Sequence, residues 1–213
     1  MLDGAVDPAQ SQKQRELGQA EGFQHAFDTF ATWCTTQPDC PLGRDPAKTT
    51  TTYRALVLPV IGHPVPLVDG RKLSYDDAVT GTIQALYTTQ LWQPLKRGLQ
   101  ELAQSQGRIL MVLADLYYGR QPDGRYTHEL DAFHAVNCVD EKPITDPATA
   151  LELSKRMIAA VPFEDDGHGP SPALGTCAFW PVPNTDTPHI PHVIGLPQTL
   201  VISVTPPPPI SPE

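Results

Sequence analysis

Two short apolar segments, one near each end of the chain, enclose a long block with helical periodicity. Residues 199–204, Thr-Leu-Val-Ile-Ser-Val, form a β-branched run without polar alternation, which is typical of a parallel strand covered on both faces. Met1–Asp3 reads as the end of a second strand and is followed by a turn at Gly4. Two strand pieces of this size do not make a stable sheet. The sequence therefore predicts a helical insertion into a sheet whose remaining strands lie elsewhere.

Apolar residues in the enclosed block recur at helical spacing. The clearest stripe is Phe23, Phe27, Phe30 and Cys34, which are three or four residues apart. Caps, breakers and stripes together predict helices over about residues 11–35, 46–61, 74–87, 92–107, 109–118, 127–136 and 146–160. The 24 prolines concentrate after Pro162, so an irregular segment is expected there. The predicted fold class is mainly α.

Composition narrows the class of partner. The formal net charge of −9 argues against nucleic acid and against an anionic membrane surface. No stretch approaches the roughly 20 apolar residues that a membrane-spanning helix needs. His189 and His192 are separated by Ile-Pro and have no third ligand nearby, so we predict neither a metal nor a cofactor.

Four cysteines, Cys34, Cys40, Cys138 and Cys177, give an even count with one tight local pair. This pattern favours disulfides, with buried free thiols and metal ligation as the weaker alternatives. Disulfides favour an exported protein, whereas the first residues lack the basic and apolar regions of a signal peptide and by themselves favour the cytoplasm. A shortened N-terminus would reconcile the two expectations.

A series of motifs, in this order along the chain, resembles one known family. The motifs are Leu2-Asp3-Gly4-Ala5-Val6-Asp7-Pro8, Trp33-Cys34 to Cys40-Pro41-Leu42-Gly43, Leu113-Ala114-Asp115 to Tyr118-Gly119-Arg120, Asp123-Gly124 with Tyr126, Ala135-Val136-Asn137-Cys138-Val139-Asp140, and Cys177-Ala178-Phe179-Trp180-Pro181-Val182-Pro183. They are similar to the secreted tripeptidyl aminopeptidases, which are relatives of the proline iminopeptidases, and they extend over nearly the whole chain.

The resemblance implies the helical lid, or cap, domain of an α/β-hydrolase. Residues 1–8 would be a remnant of a core strand and residues 9–197 the lid with its Pro/Gly-rich C-terminal part. Residues 198–213 would be a second core-strand remnant with a Pro-rich tail. The implied localisation is secreted or cell-envelope.

The catalytic residues of that family are a Ser-His-Asp triad with the serine in a G-x-S-x-G motif. The chain contains no G-x-S-x-G, and Pro207 falls where the family has its aspartate. A proline ring can neither orient an imidazole nor balance its charge. The resemblance therefore implies hydrolysis of peptide amides, and of esters in some members, by the parent family. For this chain we predict no catalytic residue and no activity alone.

Two other functions stay open from the sequence. One is a non-catalytic lid module that binds peptides or the catalytic core encoded elsewhere. The other is an autonomous enzyme with an unrelated site, which has only scattered carboxylates to support it.

Four residues of the lid are candidates for lining the substrate cleft: Asp115, Tyr118, Phe179 and Trp180. Asp115 has the alternative of a hydrogen bond to a neighbouring helix, and the two aromatic residues after Cys177 have the alternative of packing on a disulfide. The acidic run 164–166 is interpreted as solvated loop charge.

The predicted disulfide pairs are Cys34–Cys40 and Cys138–Cys177. A short loop after a helix can return Cys40 to within the ~4.4–6.8 Å Cα separation that a disulfide tolerates. The second pair would then tie the irregular segment after Pro162 to a helix end. Both pairs also fit the cysteine positions of the resembling family.

Overall fold

The computed structural model describes residues 2–3, 7, 9–140, 142–185, 189–190, 192, 194–195 and 201–202. Pro207 lies outside the described residues. The α-helices are α1 (Gln12–Thr36), α2 (Thr49–Val57), α3 (Pro59–Gly62), α4 (Tyr75–Leu86), α5 (Trp92–Leu102), α6 (Arg108–Tyr117), α7 (Glu129–Asp140) and α8 (Pro147–Ala160). Short 3-10 turns occur at Pro46–Lys48, Thr89–Leu91, Pro162–Glu164 and Thr176–Phe179. The prediction of a mainly α fold is confirmed.

The two flanking strand segments pair with each other. β1 (Leu2–Asp3) and β4 (Val201–Ile202) run parallel, with Leu2 opposite Val201 and Asp3 opposite Ile202. The helices between them therefore begin and end at adjacent strands. The rest of the predicted strand 199–204 lies outside the described residues.

A second strand pair interrupts the helices. β2 (Val65–Pro66) and β3 (Lys72–Leu73) are antiparallel and form a hairpin between the helices predicted over 46–61 and 74–87. The hairpin turn needs a glycine at Gly70, whose φ of 85° is in the left-handed region. With two residues on each side, neither strand is long enough to show a periodic pattern.

Helix α1 supplies one wall of the core. Ser11 caps it, because the Ser11 hydroxyl accepts from the Gln14 N–H at 3.4 Å and the Gln14 side chain accepts from the Ser11 N–H at 2.9 Å. The predicted stripe is confirmed: Phe27, Phe30 and Cys34 are fully buried.

Aromatic contacts join α1 to α2 and to the chain after α8. The Phe27 ring stacks on Phe163 at a centroid distance of 4.7 Å and meets the edge of Tyr53 at 5.0 Å. The Tyr53 hydroxyl donates to Thr82 Oγ1 at 2.9 Å, and Thr82 in turn donates to the Ala78 carbonyl at 2.9 Å. Burial raises the pKa of Tyr53, so its hydroxyl stays neutral and the pair is a satisfied polar contact inside an apolar core.

Helices α4 and α6 cross with their backbones in contact. A Cβ at Gly81 would overlap the carbonyl oxygen of Leu110 and lie 3.3 Å from the Ala114 amide nitrogen. Gly81 is therefore required by this close approach and not by its backbone angles. The crossing buries Leu110 and Leu113 on α6 and leaves Val112 and Leu116 exposed on the opposite side.

Three local predictions differ from the structure. Residues 46–61 form a 3-10 turn followed by α2 and α3, which Pro59 separates. The helix predicted over 74–87 ends at Leu86 and leaves Tyr87 outside it, 61% exposed and in contact with Phe23 among the described aromatic residues. The helix predicted at 127–136 lies at Glu129–Asp140. In the part of the chain described, none of the helices combines the length and the apolar character that a membrane span demands.

Candidate functional site

Asp115 lies near the end of α6, where it joins that helix to the hairpin. Both of its carboxylate oxygens accept from Arg71, at 2.7 Å from Nη1 and 2.9 Å from Nη2. Arg71 also donates from Nε to Asp69 at 2.8 Å, and the Arg120 guanidinium lies 4.0 Å from Asp115. This two-pronged contact fixes the hairpin turn against α6. Asp115 therefore forms hydrogen bonds with a residue of the hairpin. The alternative considered from the sequence was a hydrogen bond to a neighbouring helix.

Tyr118 follows α6 and joins it to α4, since its hydroxyl lies 3.2 Å from Thr80 Oγ1. Its ring meets Tyr117 edge-on at 5.7 Å. The roles of Asp115 and Tyr118 in a substrate cleft stay predictions.

The other two cleft candidates, Phe179 and Trp180, belong to a unit that we call the flap: α7 together with residues 176–185. The Cys138–Cys177 disulfide joins the two parts, with a Cα separation of 4.9 Å, and the Thr185 N–H donates to the Val139 carbonyl at 2.8 Å. The local pair Cys34–Cys40 is also present, at a Cα separation of 5.5 Å, so both predicted disulfides are confirmed.

The flap presents apolar side chains to solvent. Cys138 is the one buried residue among those described in α7. Phe133 and Val136, three residues apart on α7, are 59% and 57% exposed, and Phe179 is 74% exposed. An exposed apolar stripe on a helix that packs mainly on a short turn is typical of a surface that another molecule or domain covers.

The acidic run after α8 is not simply solvated, and the interpretation of Glu164 and Asp165 as loop charges was wrong. Asp165 forms a partly buried ion pair with Arg54, 2.7 Å from Nη2, and its carbonyl accepts from Arg54 Nε at 3.1 Å. The Glu164 carbonyl accepts from the Tyr75 hydroxyl at 2.8 Å. These contacts hold the run against α2 and α4 because Phe163, immediately before it, is buried in the core. Asp166 alone is exposed, as predicted.

Burial raises the pKa of the Glu164 carboxyl to about 7. Tyr117 lies within electrostatic reach of this carboxyl: its pKa is raised first by burial and then by the nearby Tyr87, Tyr118 and Glu164. A carboxyl whose pKa is raised by burial is a feature that many functional sites share. Within the described residues, no three His, Cys, Asp or Glu side chains are arranged to hold a metal ion.

The known proteins that are similar to this chain are named as hydrolases. The chain is 46% identical over 214 residues to the serine protease Hip1 of Mycobacterium tuberculosis, covering 96% of this chain and 41% of that protein. It is 44% identical over 208 residues to the carboxylesterase B of the same species, covering 96% of this chain and 40% of the relative. These relatives support a serine hydrolase family. A putative hydrolase of Escherichia coli, YuaR, is 26% identical over 187 residues, covering 85% of this chain and 36% of that protein.

The chain spans about two fifths of the length of the curated relatives it matches. No family model matches it. The relatives' names support a hydrolase-like family and are coarser than the tripeptidyl aminopeptidase family indicated by the motifs.

Sequence reasoning missed Glu164 and Arg71 as residues of interest. Glu164 stands in an acidic run of the kind that is usually solvated, and Arg71 follows a turn glycine. The contact of Arg71 with Asp115 and that of the Glu164 carbonyl with Tyr75 span 44 and 89 positions of the chain, so no local pattern could reveal them. The one available signal was the phenylalanine before Glu164, since a buried anchor draws its neighbours toward the core.

Proposed function

We propose that the chain is the helical lid of an α/β-hydrolase that cleaves peptide amides, acting together with a catalytic core. The observation that carries this proposal is the continuous similarity over 96% of the chain to a serine protease of which the chain covers 41%. The mainly helical fold and the parallel pairing of β1 with β4 agree with a lid whose two ends join one sheet. The family motifs refine the substrate to short peptides released from a free amino terminus.

In this proposal the chain supplies no catalytic group. Serine and histidine come from the core, and the aspartate would come from there as well, because Pro207 stands at the family's aspartate position. The lid contributes a cover that excludes water and a wall that orients the substrate. The exposed apolar side chains of the flap are suited to this wall, with Phe179 and Trp180 nearest the cleft.

We also propose export to an oxidising compartment. Two disulfides support it, and one of them fastens the flap that the proposed wall requires.

A lid exchange tests the function directly. Residues 9–197 of this chain, which include the whole flap and both disulfides, replace the aligned segment of the serine protease Hip1, so that the core residues of the relative are kept. We expect the chimera to hydrolyse a tripeptidyl anilide and the 213-residue chain alone to leave it intact. A folded chimera with no activity would contradict the lid proposal. Saturable hydrolysis by the purified chain that persists after a serine-hydrolase inhibitor would contradict the proposed lack of catalytic residues.

A partner-binding module is the second candidate function, and the exposed flap is the observation that favours it. It predicts that the chain alone binds a peptide or a separate hydrolase core. Charged substitutions at Phe133 and Val136 would abolish such binding, whereas the same substitution at the exposed Val68, outside the flap, would not. Equal loss at all three positions would rule out the flap as the binding surface.

A further inference from the structure

An open groove of about 610 Å³ lies along the solvent-facing side of α1, in the C-terminal half of that helix. The α1 residues that line it extend from His25 to Thr36, which is three turns of helix and about 16 Å at 1.5 Å per residue. Trp92, the first residue of α5, lines the other side. The groove is therefore separate from the flap and from the cleft candidates Asp115 and Tyr118, and it is long enough for an extended ligand.

Two indole rings form the apolar part of the groove. Trp33 and Trp92 are half-buried, and their ring centroids lie 5.5 Å apart at an interplanar angle of 50°. Both rings contact the buried Phe30, at centroid distances of 5.9 Å and 6.0 Å, so the core holds them in place. The Trp92 N–H is buried without an acceptor among the described residues. Trp92 therefore offers the groove an aromatic surface and not a donor.

The polar side chains of the groove are mainly hydrogen-bond acceptors. The Thr29 hydroxyl donates to the His25 carbonyl at 2.8 Å, and the Thr36 hydroxyl donates to the Trp33 carbonyl at 2.7 Å. Because both hydroxyl hydrogens are used within α1, the two oxygens have only lone pairs to offer a ligand. Asp28, which is exposed between them and the helix start, adds a carboxylate. A ligand that matches this side of the groove must bring donors.

This chemistry narrows the class of ligand. Among the described residues that line the groove, none is Lys or Arg, which disfavours an anion. Proline-rich peptides also dock on aromatic grooves, but proline has no N–H, so such a peptide would leave the acceptors unmatched. An acyl chain would leave them unmatched as well. The fitting ligand combines an apolar surface for the indole rings with many O–H donors for α1.

We propose that this groove binds a neutral oligosaccharide built of pyranose rings. The face of a pyranose ring carries C–H groups that pack on an indole, and the hydroxyls at its edge donate to acceptors such as Asp28 and Thr29. Two indoles in a groove of about 16 Å provide for more than one sugar ring. The site goes beyond the lid function, because it includes no cleft candidate and requires no catalytic core.

The test is an NMR titration of the full chain with cellotriose, a β-1,4-linked trisaccharide of glucose. We expect shifts in the indole N–H signals of Trp33 and Trp92 and in the amide signals of residues 25–36, with a dissociation constant on the order of millimolar. Trp180, the third tryptophan of the chain, lies in the flap, and its indole signal should stay in place. The absence of any response at about 50 mM cellotriose, well above a millimolar dissociation constant, would overturn the proposal.

Two further probes separate ring packing from general contact with hydroxyls. Mannitol is an acyclic polyol without a ring face and should shift none of these signals. Methyl β-glucoside has a single ring and should bind more weakly than cellotriose. Mannitol shifts equal to those of cellotriose would overturn the saccharide site, and equal affinity for methyl β-glucoside would overturn its assignment to an oligosaccharide.

Thr32→Val is the mildest variant, since it keeps the side-chain shape of an exposed groove residue and removes one hydroxyl. It should weaken cellotriose binding about threefold to tenfold. Thr51→Val, at an exposed threonine of α2 outside the groove, is the matched control and should bind normally. Trp33→Leu removes one indole face and should weaken binding about tenfold.

Circular dichroism verifies that the variants fold, and Thr32→Val decides alone if Trp33→Leu does not. Wild-type affinity in every folded groove variant, or an equal loss in Thr51→Val, would overturn the site. The lid function and this site fail separately. A dead chimera with intact cellotriose binding would contradict only the lid proposal, and an active chimera whose chain does not bind cellotriose would contradict only the groove.

Discussion

Replacing Glu164 with glutamine should stabilise the protein above neutral pH and leave its stability unchanged in acid. Burial disfavours the ionised carboxylate, so the folded state holds the Glu164 proton more tightly than the unfolded chain does. The folded pKa is about 7 against an ordinary value of 4.5. Glutamine is neutral at every pH. The difference in the free energy of unfolding between the variant and the wild type therefore measures the cost of ionising Glu164.

The magnitude follows from the pKa difference. A shift from 4.5 to about 7 is about 2.5 units, which at about 1.4 kcal/mol each sets an upper limit near 3.5 kcal/mol. Because the carboxyl is only half-buried, about 1–3 kcal/mol is the realistic range. Because folding raises the pKa of this carboxyl, the protonated Glu164 contributes fully to the free energy of unfolding below pH 4.5. This contribution is lost as the pH rises through 7.

Urea unfolding at pH 4 and pH 8 measures the difference in the free energy of unfolding between Glu164→Gln and the wild type. We expect a difference near zero at pH 4 and a gain of about 1–3 kcal/mol for the variant at pH 8. Glu152→Gln should show no comparable change with pH, because that carboxylate is exposed. Equal stability of Glu164→Gln and the wild type at pH 8 would refute the argument that burial raises this pKa.

Two further predictions concern packing and crosslinks. Gly81→Ala should lower the free energy of unfolding by about 1–3 kcal/mol through overlap with the α6 backbone, whereas Gly22→Ala, in open space on α1, should raise it by up to about 1 kcal/mol. A stabilised Gly81→Ala in the same urea titration would contradict the backbone contact. Alanine at both Cys138 and Cys177 should speed amide hydrogen exchange in α7 and leave the main unfolding transition in place, because α7 barely contacts the core. Loss of the Cys34 disulfide, whose sulfur is buried beside the core, should instead shift the main transition by about 2–4 kcal/mol.

Helix positions were largely predictable because each helix carries its own signals. Ser11 and Ser74 are caps that the structure uses, and the α1 stripe is buried as its spacing predicts. Both disulfide pairs were also predictable, since one is local and the other fits the family motifs.

The surroundings of Glu164 were not predictable, and the reason is physical. The contacts there join residues that are far apart in sequence: Arg54 with Asp165, and Tyr75 with Glu164. A short acidic run has the same composition whether water or a core surrounds it. The burial of Phe163 decides between these environments, and that burial depends on the packing of α1 against α2.

The pairing of β1 with β4 has a consequence for how such a helical block is inherited. Leu2 is paired with Val201 on the neighbouring strand, and neighbouring strands are about 4.8 Å apart. The nearly 200 residues between these two positions therefore begin and end side by side. A segment with adjoining ends can be gained, lost or exchanged at a single connection without altering the order of the other strands. Under the proposed lid function, the wall over the active site can therefore be replaced as one unit, which changes the substrates that enter while the reacting groups beneath keep their geometry.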